Sequence, residues 1–168
     1  MKSQLKEEML LAKQQEKELR LVLQRLAEKP DILSGEDQLK AAHEVEEEIN
    51  CLDCANCCST IPALLNEEDI DRLPAVLGIT RSQFVQRYVD YDEDGDCILN
   101  RTPCHFLDEE NKCKIYADRP QACREYPHLD DPQLIQYLPV LEENLKVCPM
   151  ALRMIQKIDV LISGKASN

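Results

Sequence analysis

The chain of 168 residues has no tryptophan, two phenylalanines, five tyrosines and four glycines. Large core side chains are therefore scarce. The region after residue 50 cannot rest on hydrophobic burial alone, and core-poor domains are usually held together by disulfides or metals. A basic patch is also missing. Residues 1–50 carry 8 basic and 12 acidic side chains (−4), leaving 12 and 20 (−8) for the rest and a total of −12. That charge disfavours nucleic acid as a partner. No apolar run approaches the ~18 residues of a membrane span. The opening residues, Met1-Lys2-Ser3-Gln4-Leu5-Lys6-Glu7-Glu8, lack the apolar core of a secretory signal. The expectation is a cytoplasmic protein with neither nucleic acid nor membrane among its partners.

What the chain does have is cysteine, nine in all. Four fall within Cys51-Leu52-Asp53-Cys54-Ala55-Asn56-Cys57-Cys58, three of them at C-x2-C-x2-C spacing. In a reducing compartment this points to metal rather than disulfides, and the odd count argues against a complete disulfide framework. Thiolates are soft ligands suited to zinc or to an iron–sulfur cluster. The spacing matches three ligands of a bacterial ferredoxin-type cluster, and Cys148-Pro149 is the kind of distant Cys-Pro pair that supplies another. A zinc ribbon needs two separated C-x2-C pairs, and no clean second pair is present. Neither template fits fully. Spacing tilts the expectation toward iron–sulfur, with four irons, and leaves zinc open.

Residues 3–29 read as one helix. Leu5, Met9, Ala12, Glu16, Leu19, Leu23 and Leu26 recur at the steps of a coiled-coil seam, with Ser3 as N-cap and Pro30 as terminator. Such a helix either packs on its own domain or serves self-association or a protein partner. Ser34 followed by Asp37 starts a second helix to about Asn50, carrying Leu39, Ala42, Val45 and Ile49 on one face. The two would form a helical hairpin. Glu44, Glu46, Glu47 and Glu48 read as a solvated face.

Beyond the cysteine octapeptide, Ile61–Leu65 is short, apolar and extended. Asn66 caps a helix with acids in its first turn, which Pro74 kinks or splits and Gly78 ends. Thr80 and Gln83 form a capping-box pattern for the next helix. The run Asp90-Tyr91-Asp92-Glu93-Asp94-Gly95-Asp96 imitates a calcium loop, but Arg101 stands where the bidentate Glu belongs. It reads as an acidic turn before a short strand, Cys97 to Asn100. A hairpin is expected where Cys104–Leu107 and Lys112–Tyr116 flank Asp108–Asn111. Arg119-Pro120 opens a short helical turn holding Cys123. Residues 128–147 read as packed helical pieces, and Cys148-Pro149 starts a last helix to about Ser163.

Several of these motifs, in this order, resemble the YkgJ-type cysteine cluster family, described as zinc- or iron-chelating domains. The resemblance rests on Cys51-x2-Cys54-x2-Cys57-Cys58, Pro103-Cys104-His105-Phe106-Leu107 and Cys113-Lys114-Ile115-Tyr116. It continues through Arg119-Pro120-x2-Cys123-Arg124-x-Tyr126-Pro127 and Cys148-Pro149. It covers roughly residues 50–150 and leaves residues 1–49 outside. It implies metal chelation by Cys51, Cys54, Cys57, Cys58, Cys104, Cys113, Cys123 and Cys148; Cys97 has no counterpart and reads as a strand residue. Eight thiols allow two centres of four, or one centre plus structural or reactive thiols. Cys57 and Cys58 point differently in most backbones and can serve different centres.

Arg119, Arg124 and Tyr126 are the candidates for lining a cofactor pocket or donating to the thiolates, with a structural role as the alternative. His105 and His128 read as surface or supporting groups, thiols being in excess. A more distant resemblance to lysine N-methylases of flagellin implies cluster-dependent chemistry on a protein substrate. No Gly-rich nucleotide loop or catalytic dyad accompanies it.

The fold expected is mainly α with a small, irregular, metal-stapled cysteine domain containing a short β-hairpin. Its parts are a helical extension (residues 1–49), the cysteine cluster domain (50–150) and a C-terminal helix and tail packing on it (151–168).

Overall fold

The structure is a computed structural model that describes residues 3–131 and 134–166. Helices follow one another along the chain as α1 (Ser3–Gln14), α2 (Glu16–Glu28), α3 (Gly35–Glu48), α4 (Cys51–Cys54), α5 (Asn56–Thr60), α6 (Glu67–Leu77) and α7 (Arg81–Tyr88). Strands β1 (Val89–Tyr91) and β2 (Cys97–Leu99) come next, then α8 (Gln121–Glu125), α9 (Leu138–Leu145) and α10 (Pro149–Ala166). The fold is mainly α with one small antiparallel hairpin, the class the sequence predicts. No helix among the described residues is long and apolar enough to cross a membrane. The chain divides into two compact units, Met1–Cys54 with Pro127–Asn168, and Ala55–Tyr126.

The first unit is a helical assembly around α10, which packs on α3, α2, α9 and α1. Ala151, Leu152, Met154, Ile155, Ile158 and Ile162 of α10 are buried at helical spacing. Leu5 and Met9 of α1, and Leu19, Leu23 and Leu26 of α2, are buried within the same unit, and so is Val22, which the predicted seam omits. The predicted continuous helix breaks at Gln15, whose backbone leaves the helical region (φ −97, ψ 10). Hydrogen bonds from Gln15 N to Leu11 O and from Leu19 N to Gln15 O still join the two halves. The carboxylates of Glu44 and Glu48 are not purely solvated. They meet Lys157 and Arg153 of α10 at 2.7–3.0 Å, and Arg153 also holds Glu8 of α1 at 2.7 Å. Ser34 caps α3 as predicted, its Oγ accepting from Asp37 N at 3.1 Å.

In the second unit the predicted caps take their places. Asn66 Oδ1 accepts from Asp69 N at 2.7 Å and Thr80 Oγ1 from Gln83 N at 3.2 Å, and each box is closed by the reciprocal bond. Helix α6 runs through Pro74 without splitting and ends at Gly78, whose φ of +66 suits a residue without Cβ. Asp69 is almost wholly buried. Its carboxylate accepts from Arg72 Nη2 (2.6 Å), Gln121 N (3.1 Å) and Asn66 N (3.4 Å), which ties α6 to the start of α8.

The strand expected at Cys97–Asn100 is present as β2, and its partner is Val89–Tyr91, so the hairpin lies earlier in the chain than predicted. Val89 pairs with Leu99, and Tyr91 with Cys97. Of the Asp90–Asp96 run, Asp90 and Tyr91 belong to β1 and the rest is the turn between these strands, as Asp92 Oδ1 accepts from Asp94 N and Asp96 N. Ile61–Leu65 adds a bridge to it: Leu65 N donates to Cys97 O and Leu99 N to Ala63 O, both at 2.8 Å. The hairpin predicted at 104–116 reduces to a single Leu107–Cys113 bridge. Asp108 closes its turn locally by accepting from Glu110 N and Lys112 N, and the chain coils into a 3-10 turn at Tyr116–Asp118 instead of extending. Leu65, Ile70, Leu73, Phe84, Leu99, Phe106 and Ile115 form the core, with Cys97, Cys104 and Cys113 packed along its edge.

Because Asp69 satisfies two backbone amides and a guanidinium in a dry position, Asp69→Ala should cost about 3 kcal/mol. The exposed Asp71→Ala should cost well under about 1 kcal/mol. Urea midpoints at unchanged slope measure both; equal shifts would remove the case for Asp69 as a tie.

Candidate metal centre

The octapeptide folds as two single helical turns, α4 and α5, joined at Ala55, which takes a left-handed conformation (φ +51, ψ +18). A residue with a Cβ adopts that region at some cost, so the surroundings must hold it there. Asn50 Oδ1 accepts from Leu52 N at 2.9 Å at the start of α4. The division into units falls inside the octapeptide: Cys51 and Cys54 belong to the first, Cys57 and Cys58 to the second.

Four segments of the second unit bring thiols together. Cys58 stands on α5, and its carbonyl accepts from Cys104 N at 2.8 Å. The Cys104 sulfur accepts from Phe106 N at 3.5 Å. Cys113 faces Leu107 in the isolated bridge. Cys123 sits in α8, its amide donating to Pro120 O at 3.0 Å, and Arg72 fixes the preceding stretch by donating to the carbonyls of Asp118 and Arg119 at 2.8 Å. Every pair among Cys58, Cys104, Cys113 and Cys123 lies within electrostatic reach. Burial, then these neighbouring thiols, push Cys123 up to about 12. Burial likewise raises Cys104 and Cys113. The adjacent Cys57 thiol, followed by burial, raises Cys58, the two sulfurs being 3.9 Å apart.

Positive charge stands beside this set. The Arg119 guanidinium lies 4.1 Å over the Tyr116 ring, donates to Tyr116 O at 2.7 Å, and acts to lower the Cys113 and Cys123 thiols. Arg101, which sequence reasoning passed over, does the same for Cys104. Nothing in the sequence marks it, since its effect depends on how the chain turns before Cys104. Arg124 is exposed and donates to Arg119 O and Ala117 O, so its guanidinium is committed to backbone. Tyr126 caps the end of α8, where its amide donates to Ala122 O.

In the first unit Cys148 is buried just ahead of α10 and lies within electrostatic reach of Cys51 and Cys54. Burial pushes it up to about 12, against the pull of the Met150 and Ala151 amides. Met150, another residue the sequence reading missed, stands with its Sδ 3.8 Å from Cys51 Sγ. Cys97 is a strand residue, as predicted. His105 is engaged by Asn100 Oδ1 at 2.7 Å and edge-on to Tyr88, and His128 stacks on Tyr137.

No group of three or more His, Cys, Asp and Glu side chains among the described residues is arranged to hold a metal ion as it stands. The donor chemistry nevertheless fits one. Soft, half-buried thiols that raise one another's proton affinity are sites where a cation relieves the repulsion of the thiolates.

With metal removed, folded Cys123 and Cys148 hold their protons more tightly than an unfolded thiol near 9.0. The stability they contribute is complete below about pH 9 and is lost as pH rises toward about 12. Chelator-treated protein should therefore lose melting temperature across that window, and Cys123→Ser should flatten the loss. Parallel pH profiles for variant and parent would contradict it.

A family model described as "CxxCxxCC: Putative zinc- or iron-chelating domain" matches residues 50–149. The chain is also similar to "Uncharacterized protein MJ0661" of Methanocaldococcus jannaschii, 30% identical over 82 residues. That alignment takes in 47% of this chain and 44% of the relative, so the chain spans less than half of that protein's length. No solved structure matches. Since the family match covers more than half of the chain and contains all eight predicted ligand cysteines, the chain belongs to the CxxCxxCC family of zinc- or iron-chelating domains.

Proposed function

We propose that Ala55–Tyr126 is a metal-binding module in which Cys58, Cys104, Cys113 and Cys123 hold an iron–sulfur cluster or a zinc ion. The metal's first task in this reading is to hold the module's fold together. The observation that carries it is that these four thiols, delivered by four separate segments, are all within electrostatic reach of one another. Four thiolates are the ligand number of both a structural zinc and a four-iron cluster. Such a group supplies the positive charge that four buried sulfurs lack, and its binding releases their protons.

The chain's own residues would prepare the site. The Cys104 amide fixes one ligand segment against Cys58, and the Asp69–Gln121 bond positions the helix that carries Cys123. Arg119 and Arg101 offset part of the remaining negative charge. A seven-residue apolar core is small for a unit of this size, which is the condition under which a metal adds decisively to stability.

Anaerobic purification with absorption spectroscopy and elemental analysis distinguishes the two metals. Bound iron and sulfide with a broad band near ~400 nm mean a cluster, and a colourless protein with stoichiometric zinc means an ion. In either case Cys113→Ser should lose the metal of this unit. Its melting temperature should fall by about 15 °C or more, corresponding to roughly 3 kcal/mol or more in a unit of this size. Full metal content and an unchanged melting temperature in both Cys113→Ser and Cys123→Ser would end the proposal.

A further inference from the structure

The first unit holds a separate group of sulfurs. Cys51 and Cys54 lie at the two ends of α4, and Cys148 precedes α10. Cys54 and Cys148 are buried, 8% and 7% exposed. Cys148 lies within electrostatic reach of both of the others. A fourth sulfur accompanies them, since Met150 is itself only 7% exposed and its Sδ is 3.8 Å from Cys51 Sγ.

The local backbone explains why that thioether stands there. Pro149 has no amide hydrogen, so the first free donors of α10 are the amides of Met150 and Ala151, and both favour the ionised form of Cys148. Met150, two residues on from Cys148 in the first turn of α10, presents its sulfur to Cys51. Met150 is not a mere spacer in an aliphatic core, for its sulfur meets the Cys51 thiol. A thioether carries no charge and no proton, so it can complete a soft donor set without adding to the repulsion among three thiolates.

We propose that Cys51, Cys54, Cys148 and Met150 form a second metal site, with Met150 as a thioether ligand and a soft closed-shell ion, Cu(I) or Zn(II), as its occupant. The site rests on the reading that this chain's thiols serve metals, but it shares no residue with the proposed centre of the second unit. Two Met–Cys sulfur types in one site favour Cu(I) over Zn(II), because thioethers are poor partners for harder ions.

The test uses full-length protein labelled with selenomethionine, stripped of metal, and reloaded anaerobically with Cu(I) or, in parallel, Zn(II). Cys113→Ser is the working background, since it leaves the first unit's sulfurs untouched. This variant should retain one equivalent of metal, and X-ray absorption at the selenium edge should show a selenium–metal shell. Met150→Leu, close to Met in volume, should abolish that shell and weaken Cu(I) binding at least tenfold in competition with a chelator, with the melting temperature of the metal-free protein unchanged. Retained metal with no selenium–metal shell would overturn the role of Met150. A Cys113→Ser protein that holds no metal, while the parent holds one equivalent that survives Cys148→Ser, would overturn the second site and leave the proposal for Ala55–Tyr126 standing.

Discussion

The grouping of four half-buried thiols, each opposing the ionisation of the others, is the constraint on which the rest depends. Cys58, Cys104, Cys113 and Cys123 are half-buried and within reach of one another, and the pressure of burial and neighbours keeps them protonated. The cost falls on ionising them, which metal binding requires and which the bound cation compensates. Several contacts within Ala55–Tyr126 set the segments that carry these sulfurs. The Cys104–Cys58 backbone bond and the Asp69 tie between α6 and α8 are among them, and Cys104 and Cys113 border the core.

The other unit is built on different principles. Its stability comes from long amphipathic helices around α10, reinforced by Arg153 and Lys157 pairing with Glu8, Glu44 and Glu48. A conventional apolar core is present there, from Leu5 through Ile162. Its three cysteines stand on α4 and just ahead of α10. Both phenylalanines and four of the five tyrosines lie in Ala55–Tyr126, yet this unit, with more of the cysteines, buries the smaller apolar core.

Local signals were the legible part. Ser34, Asn66 and Thr80 each cap the helix that their side-chain chemistry predicts, because a cap is decided by residues three apart. Gly78 ends α6 for an equally local reason. The break at Gln15 escaped notice because the leucine spacing continues past it. The strand at Cys97–Leu99 is legible, but its partner is not, because Val89–Tyr91 extends a helical pattern, whereas the apolar residues near Cys104 are drawn into a turn closed by Asp108. The cysteines were legible as metal-ligand candidates by count and spacing, but their grouping was not. Cys51 and Cys58 are seven positions apart and fall in different units, while Cys51 shares its unit with Cys148. Arg101 and Met150 left no mark in the sequence, since each matters only through the partner that folding supplies.

The central claim is that one metal centre belongs wholly to Ala55–Tyr126. Crystals of metal-loaded protein, measured with anomalous scattering at the absorption edge of the bound metal, test it most directly. The account predicts a peak enclosed by the sulfurs of Cys58, Cys104, Cys113 and Cys123. A fully loaded protein in which those four thiols carry no metal would contradict it.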